Sequence, residues 1–448
     1  MIMRLPPNRV LVVGAGKSGM AVARFCAARG AQVTVTDKRS DVTQEPIPHV
    51  TYELGGHVLA SFTQADLVVL SPGVPELPEV KAAREKGVRV TGEIELAAGF
   101  IEAPIVAITG TNGKSTVTAL AGAIALETGR PIFVGGNLGT PLITCVDTPA
   151  ATAAGIVVVE LSSFQLETCE KLHPRAAALL NLTPDHLDRY ADLAAYGAAK
   201  LRIAQRMQAG DALVVNAEDP FFVAHLPKNL PVLLYATRDA KAELAGRVDG
   251  DALVLRIDGA DERYPIAEMN LIGRHNLGNA LASLLLMRKS GLATHAQARA
   301  GLRAFQPLPH RMQLVGVRRG VRYYDDSKAT NVDSVVAGID GFPTPFVLIA
   351  GGRDKGGSYA PLVDALSHNR CRRVVLIGEA ADKIAAAIGD RVPQTRASSL
   401  GDAIAKANEV AVAGDAVVLS PACSSYDMFE NYEHRGRVFR TEVEGLPA

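Results

Sequence analysis

Along this chain short β-branched runs alternate with alanine-rich stretches whose apolar positions recur at helical spacing. "RVLVVGAGKSGMAVARFCAARGAQVTVTDKR" (residues 9–39) sets the pattern: an apolar strand, a glycine turn, a helical stretch and a second strand ending at Asp37. That order is a βαβ unit, and "ADLVVLSPGV" and "VRVTGEIEL" read as further strands of the same parallel sheet. "FIEAP" (residues 100–104) reads as a linker, which puts a first boundary at Ala98. From Pro104 a second strand–turn–helix series begins, continues through "AGIVVVELSSFQLE", "AAALLNLTPDHLDRY" and "DALVVNAEDP", and ends around "ALASLLLMRKSG" and "RAGLRAFQPLPHR". The prolines beside His310 mark a second boundary. A third series follows in "TPFVLIAGGRDKG", "CRRVVLIGEA" and "DAVVLSPACSS". The expected fold is α/β, three consecutive α/β domains over residues 1–98, 99–306 and 307–448, with right-handed crossovers.

Composition narrows the class. A chain of 448 residues is too long for one core. Lys+Arg and Asp+Glu both number 47, so no net field draws the protein to nucleic acid or anionic lipid. Five cysteines (Cys26, Cys145, Cys169, Cys371, Cys423) lack any C-x-x-C spacing, which argues against a disulfide framework and a zinc site and fits reduced thiols. "MIMRLPPNRVLVVGAG" runs directly into a strand, without the features of a signal peptide, and no apolar run reaches the roughly 20 residues of a membrane span. A cytoplasmic protein is expected, and a monomer, since no heptad pattern or long apolar edge is present.

Two glycine turns carry the first chemistry. In "ITGTNGKSTV" (residues 108–117), Gly110, Gly113, Lys114 and Ser115 supply the parts of a phosphate-binding loop. These are backbone N–H groups at a helix N-terminus, a cation, and a hydroxyl for Mg²⁺. Ile108 stands where the first glycine of the usual spacing would be, and the plain alternative is a packing turn with a chance Lys-Ser. "GAGKSG" with Asp37 about 20 residues on has the form of a dinucleotide fingerprint. Alone it fits a redox dinucleotide, a mononucleotide or mere packing. Glu160 ends an apolar strand, where a carboxylate can hold Mg²⁺ opposite the loop hydroxyl. His186 follows a strand and Lys200 sits among alanines on a helix; by residue type alone each is more readily a solvated surface group than a functional one. Asn276 and Asn279 lie one helical turn apart, so both amides can face one ligand. Loops rich in Gly, Ser and Asp carry Asp326, Lys328, Thr330 and Lys355, and "SPACSSYDMFENYEHRG" follows them. Such loops belong at the strand ends where α/β sheets bind ligands.

Taken in order, "GTNGKST", "ELSSFQLE", "NLTPDHLDRY", "YGAAKLRI", "HNLGNA", "PHRMQ", "DDSKATN", "GGRDKGG" and "SPACSSYDMFENYEHRG" resemble the ATP-dependent Mur ligases of peptidoglycan synthesis over essentially the whole chain. Within that family the resemblance is nearest to members that add D-glutamate to UDP-N-acetylmuramoyl-L-alanine. It implies a Rossmann-like first domain holding the UDP substrate with Gly14, Lys17, Ser18, Asp37, Lys38, Arg39, Ser71 and Gly73. It implies a P-loop ATPase-like second domain in which Gly110, Thr111, Asn112, Gly113, Lys114, Ser115 and Thr116 bind ATP, joined by Asn276, Asn279, Arg311, Asp326 and Lys328. Asn137 and His186 are implied to meet the sugar-peptide, and Thr330, Lys355, Ser425, Tyr426 and Tyr432 of a Rossmann-like third domain the amino acid. Two Mg²⁺ are implied, at Ser115 and Glu160 and at His186 and a carbamylated Lys200, with Lys114, Glu160, His186 and Lys200 as the catalytic set. The implied reaction passes through an acyl phosphate that the D-glutamate amine attacks, with the third domain closing over ATP. Tyr432 and Lys38 depart from the residues common in the family. An NAD(P)-dependent oxidoreductase and a non-catalytic nucleotide-binding regulator are the competing classes.

Overall fold

The computed structural model describes residues 8–137, 139–187, 189–238, 243–271, 273–340 and 342–447. Residues 1–7, read above as leading straight into the first strand, lie outside the described residues. The strands gather into three sheets. In the first, β1 (Arg9–Val13), β2 (Gln32–Asp37), β3 (Val50–Leu54), β4 (Leu67–Leu70) and β5 (Arg89–Gly92) are all parallel in the order β3-β2-β1-β4-β5. The central strand is buried from Val10 to Val13, as a β-branched run covered by helices on both faces requires.

The second sheet has nine strands: β6 (Ile105–Thr109), β7 (Ile132–Gly136), β8 (Ile156–Glu160), β9 (Ala176–Leu179), β10 (Ala212–Asn216), β11 (Val232–Ala236), β12 (Gly246–Asp249), β13 (Ala252–Ile257) and β14 (Ala260–Pro265). Their order is β14-β13-β12-β11-β10-β9-β6-β8-β7, so the direction of winding reverses around β6. That reversal opens a crevice at the carboxyl end of β6, where the turn Gly110–Gly113 begins. The third sheet joins β15 (Gln313–Arg318), β16 (Val321–Asp325), β17 (Phe346–Gly351), β18 (Cys371–Ile377), β19 (Gln394–Arg396) and β20 (Ala416–Leu419) in the order β15-β16-β20-β17-β18-β19. Only β15 runs antiparallel there.

The chain divides into two compact units. One comprises Met1–Leu182, His186–Met269 and Gly278–Phe305 and carries the first two sheets; the other comprises Thr183–Asp185, Asn270–Leu277 and Gln306–Ala448 and carries the third. Two local features differ from the sequence reading. "VRVTGEIEL" is a strand only to Gly92, after which Glu93–Ala98 is helical. The second sheet also ends in an antiparallel hairpin, β13 to β14, across Asp258-Gly259 with φ of 49° and 86°. An Asp-Gly pair with both residues left-handed suits a two-residue hairpin, and the sequence reading made no use of it. All five cysteines are free, and four of them are buried. Among the described residues no helix is long and apolar enough to cross a membrane.

Candidate active site

In the first unit three strand ends meet. Gly110 (φ 154°) and Gly113 (φ 85°) shape the turn after β6. A Cβ on Gly110 would stand 2.9 Å from Leu180 Cβ, and one on Gly113 only 2.5 Å from Asn279 Oδ1. Glycine is required by both the backbone and the space. The helix Lys114–Leu126 starts after Gly113, which has no side chain to cap it, and a helix N-terminus at a glycine turn is a favourable place for an anion. Lys114 Nζ donates to the carbonyls of Gly110 (2.9 Å) and Thr111 (2.7 Å). Ser115 and Thr116 follow, both buried.

Glu160 closes β8 beside this turn and is 2% exposed. Its Oε1 accepts from Asn137 Nδ2 at 2.6 Å, whereas its buried Oε2 has no hydrogen-bond partner among the described residues. A buried carboxylate oxygen without a partner is costly unless a cation or donor joins it. Glu160 therefore fits a divalent cation. Among the described residues no group of three or more His, Cys, Asp or Glu side chains stands at metal-holding distance, so any cation here needs oxygen from a hydroxyl, a phosphate or water.

Lys200 is 1% exposed on the helix Leu193–Leu201; its Nζ donates to Gly110 O at 2.8 Å and lies 4.2 Å from the centroid of Tyr196. Tyr196 also meets His186, ring centroids 6.0 Å apart, and His186 packs on Phe164 at 4.9 Å. His186 holds φ at 56°, a strained value for a residue with a side chain and one that tends to mark functional sites. Tyr196 and Phe164 went unnamed in the sequence reading because aromatics on short helices look like core. Asn181, five residues before His186, was missed as well: its side chain binds the backbone of Asn112 at both ends.

A cavity of about 840 Å³ in the same unit is lined by Lys38, Ser71, Gly73, Gln165, His186 and Arg189, among others. It joins residues from sheets one and two that the sequence separates by more than 100 positions. Next to it, Ser71 Oγ donates to Gly14 O (3.0 Å), and Gly14 at φ 96° leaves no room for a Cβ, which would fall 2.9 Å from Ser71. Asp37 accepts from Ala15 N at 2.8 Å and from Arg39 Nη2 at 2.9 Å; the Arg39 hydrogen bond holds its carboxyl far below the usual range. Lys17 donates to the Gly139 carbonyl, bridging toward the loop that carries Asn137, and Ser18 follows in the first turn of its helix.

The second unit gathers the remaining candidates. Asp326 is buried, accepting from Ser420 Oγ (2.6 Å) and Met312 N (3.2 Å), and burial pushes its carboxyl up to about 7 against the attraction of Arg311. His310 pairs with Asp325 at 2.6 Å. His310, Met312 and Ala422 all have positive φ, at 60°, 42° and 60°. Lys328 Nζ lies 5.4 Å from the Tyr432 ring centroid, and the Thr330 N–H donates to Lys328 O. Lys355 Nζ is 3.9 Å from Asp185. Ser425 is buried, and Tyr426 is 65% exposed. Arg435, unmarked in the sequence reading, is fully buried and donates to Ser327 Oγ (2.9 Å) and to the carbonyls of Ser327 (2.9 Å) and Cys423 (3.3 Å). Burial lowers its pKa to about 10. Nothing in the helical pattern marks it, because an Arg on a helix ordinarily faces water. Asn276 lies one turn before Asn279 on the helix Arg274–Lys289.

Three family models match the chain in succession: Mur ligase MurD-like, N-terminal domain, over residues 8–92; Mur ligase middle domain over 108–287; and Mur ligase, glutamate ligase domain, over 310–423. Among similar proteins is the UDP-N-acetylmuramoylalanine--D-glutamate ligase of Geotalea uraniireducens, 45% identical with 99% of each chain covered. That of Anaeromyxobacter dehalogenans is 48% identical with 97% of each covered. Among solved structures, a pseudomurein peptide ligase type C from Methanothermus fervidus superposes with TM-score 0.64 at 18% identity, over 97% of this chain and 99% of that one. The MurF ligase from Thermotoga maritima, solved with ADP, gives 0.62 at 16%, over 97% and 95%. The distant structures share the fold, and the close relatives share the sequence from end to end. With its glycine turn, buried Glu160 and three sheets accounted for by three successive models of one family, the chain belongs to the Mur ligases.

Proposed function

We propose that the protein is the ADP-forming ligase that adds D-glutamate to UDP-N-acetylmuramoyl-L-alanine in peptidoglycan precursor synthesis. One observation carries this reading: a continuous run of contacts within the first unit. His186 lines the cavity that begins at Ser71–Gly73, shares Tyr196 with Lys200, and Lys200 bonds Gly110 of the phosphate-binding turn. A sugar-nucleotide in the cavity and ATP on the turn would thus be handled by one connected set of side chains. That the close relatives bear the name of this ligase supports the choice of substrates.

In this reading residues 1–98 hold UDP, with Gly14, Lys17, Ser18, Asp37, Lys38, Arg39, Ser71 and Gly73. Residues 99–306 hold ATP through Gly110–Thr116, Asn276 and Asn279, and residues 307–448 add Arg311, Asp326 and Lys328. Thr330, Lys355, Ser425, Tyr426 and Tyr432 bind D-glutamate. Ser115 and Glu160 would hold one Mg²⁺; His186 and a carbamylated Lys200 would hold a second. Bound there, the cations would neutralise phosphate charge. A carbamate nitrogen keeps one N–H, so the bond to Gly110 is compatible with that modification. Lys114 and the N–H groups of the turn align the γ-phosphoryl, and Asn137 steadies the alanyl end of the substrate. The alanyl carboxylate attacks the γ-phosphorus and ADP leaves. The D-glutamate amine then attacks the acyl carbon, phosphate departs, and the amine proton passes to water.

Phosphate release from ATP with UDP-N-acetylmuramoyl-L-alanine tests the reading, with D-glutamate, L-glutamate, L-alanine, L-lysine or meso-diaminopimelate in separate reactions. Release with D-glutamate alone, with a product one glutamyl unit heavier, is expected. Release with another acceptor would overturn the amino-acid assignment, and release with none would overturn the ligase.

A further inference from the structure

One asparagine side chain from outside the phosphate-binding turn fastens it at Asn112. Asn181 Oδ1 accepts the backbone N–H of Asn112 at 2.8 Å, and Asn181 Nδ2 donates to the carbonyl of the same residue at 3.0 Å. The Asn181 carbonyl in addition accepts the Thr111 N–H at 2.8 Å. Three polar groups of the turn are thereby directed toward the end of β9. The clamp fixes which way the peptides on either side of Asn112 face, immediately before the helix that starts after Gly113. We infer that Asn181 is a positioning residue for nucleotide binding, holding the turn in its phosphate-accepting shape through paired donation and acceptance at Asn112.

The requirement is chemically narrow. The two bonds need one donor and one acceptor side by side at the length of an asparagine side chain. Serine is too short to make both, and an ionised aspartate accepts twice and cannot donate. A protonated aspartic acid, in contrast, has the shape of the amide and offers both a hydroxyl and a carbonyl. Because Asn181 begins the loop that reaches His186 five residues later, the same clamp ties the turn to that loop. The inference rests on reading Gly110–Ser115 as the ATP site.

The test is calorimetric titration of the full chain with a non-hydrolysable ATP analogue and Mg²⁺, and separately with UDP-N-acetylmuramoyl-L-alanine, for the wild type, Asn181→Ala and Asn181→Asp. Asn181→Ala is expected to weaken the analogue by roughly tenfold, the loss of two hydrogen bonds, with the sugar-nucleotide affinity within about twofold of wild type. For Asn181→Asp the ratio of variant to wild-type affinity for the analogue should climb as the pH falls from 8 toward 5.5, as protonation restores the donor. Taking the ratio at each pH cancels titration of the analogue itself. Analogue affinity unchanged in Asn181→Ala, or a ratio for Asn181→Asp that is flat with pH, would overturn the clamp. A wild type that binds no analogue would instead refute the ATP site on which the clamp depends.

Discussion

At the scale of single residues, the informative groups are those whose burial conflicts with their charge. Glu160 keeps one carboxylate oxygen buried and unpartnered. Without a cation this is a cost, and with one it is a ligand. Glu160→Gln is therefore expected to leave the unfolding free energy in magnesium-free buffer unchanged or raised by up to about 1 kcal/mol, because the buried charge is gone and the bond from Asn137 survives. Turnover should fall by roughly 100-fold, since several kcal/mol of phosphate charge neutralisation is lost. Undiminished phosphate release by the variant would remove Glu160 from the site. Asp326 presents the opposite case, a carboxyl raised to about 7 by burial. Its folded pKa exceeds its unfolded value near 3.9, so the native state binds the proton more tightly. Its stabilising contribution is complete below pH 4 and is lost as the pH climbs through 7. Asp326→Asn should remove a decline of at most about 1.4 kcal/mol per pH unit across that window, measured as urea unfolding free energy at pH 5 and pH 7.5. The position of Glu160 at a strand end was legible in the sequence, since an apolar run that stops at a single carboxylate marks where a buried strand ends. Asn181 and Arg435 were not, because their importance lies in which backbone groups they meet, and no local pattern encodes that.

At the scale of elements, legibility followed periodicity. The strands and turns of "RVLVVGAGKSG" and "PIVAITGTNGKST" were readable because a β-branched run, a glycine and an alanine-rich helix each have one comfortable conformation. "VRVTGEIEL" was not, since alternation of apolar and polar residues continues across Gly92 while the chain turns helical. The helix Glu93–Ala98 owes its place to tertiary bonds. Glu95 accepts the backbone N–H groups of Lys171 (2.9 Å), Glu170 (3.1 Å) and Leu172 (3.2 Å), and Glu93 accepts that of Ile143 (2.6 Å). This short element therefore braces segments of the second sheet's domain with two carboxylates. Glu95→Ala would leave the buried N–H of Leu172 and the part-buried N–H groups of Glu170 and Lys171 without their acceptor, at a cost of about 2 kcal/mol. Glu95→Gln keeps an acceptor and should lose less than half of that. Denaturant titration distinguishes them, and equal stability of both variants with the wild type would show that water replaces the carboxylate without penalty.

At the scale of the whole molecule, the sequence raises the question of why one chain carries two glycine turns of phosphate-binding form, and the sheets supply the physical basis of an answer. Each of the first two sheets reverses its winding at one strand, β1 or β6, and each reversal is followed by a glycine turn. A doubly wound sheet has one such crevice, so two nucleotides call for two sheets. The three-domain order was readable from repeated strand–turn–helix series alone, whereas the cavity was not. It draws its walls from loops of different sheets, and loop positions depend on how strands are ordered in space rather than in the chain. The proposed division of ligands then has a spatial signature in hydrogen exchange. UDP-N-acetylmuramoyl-L-alanine should slow exchange around residues 71–76, 164–168 and at His186, Arg189 and Tyr190, where the cavity is lined. An ATP analogue should slow it around residues 110–116, at the turn and the helix start that follows it. D-Glutamate, added with both, should extend protection to the loops holding Lys355 and Ser425. Each ligand at about 100 times its dissociation constant stabilises its binding form by roughly 2.7 kcal/mol, enough to slow local opening by about 100-fold. If instead the ATP analogue protected residues 71–76, or the sugar-nucleotide protected residues 110–116 and nothing in the first sheet, the assignment of one nucleotide to each sheet would fail, even though the chain would remain a member of its family.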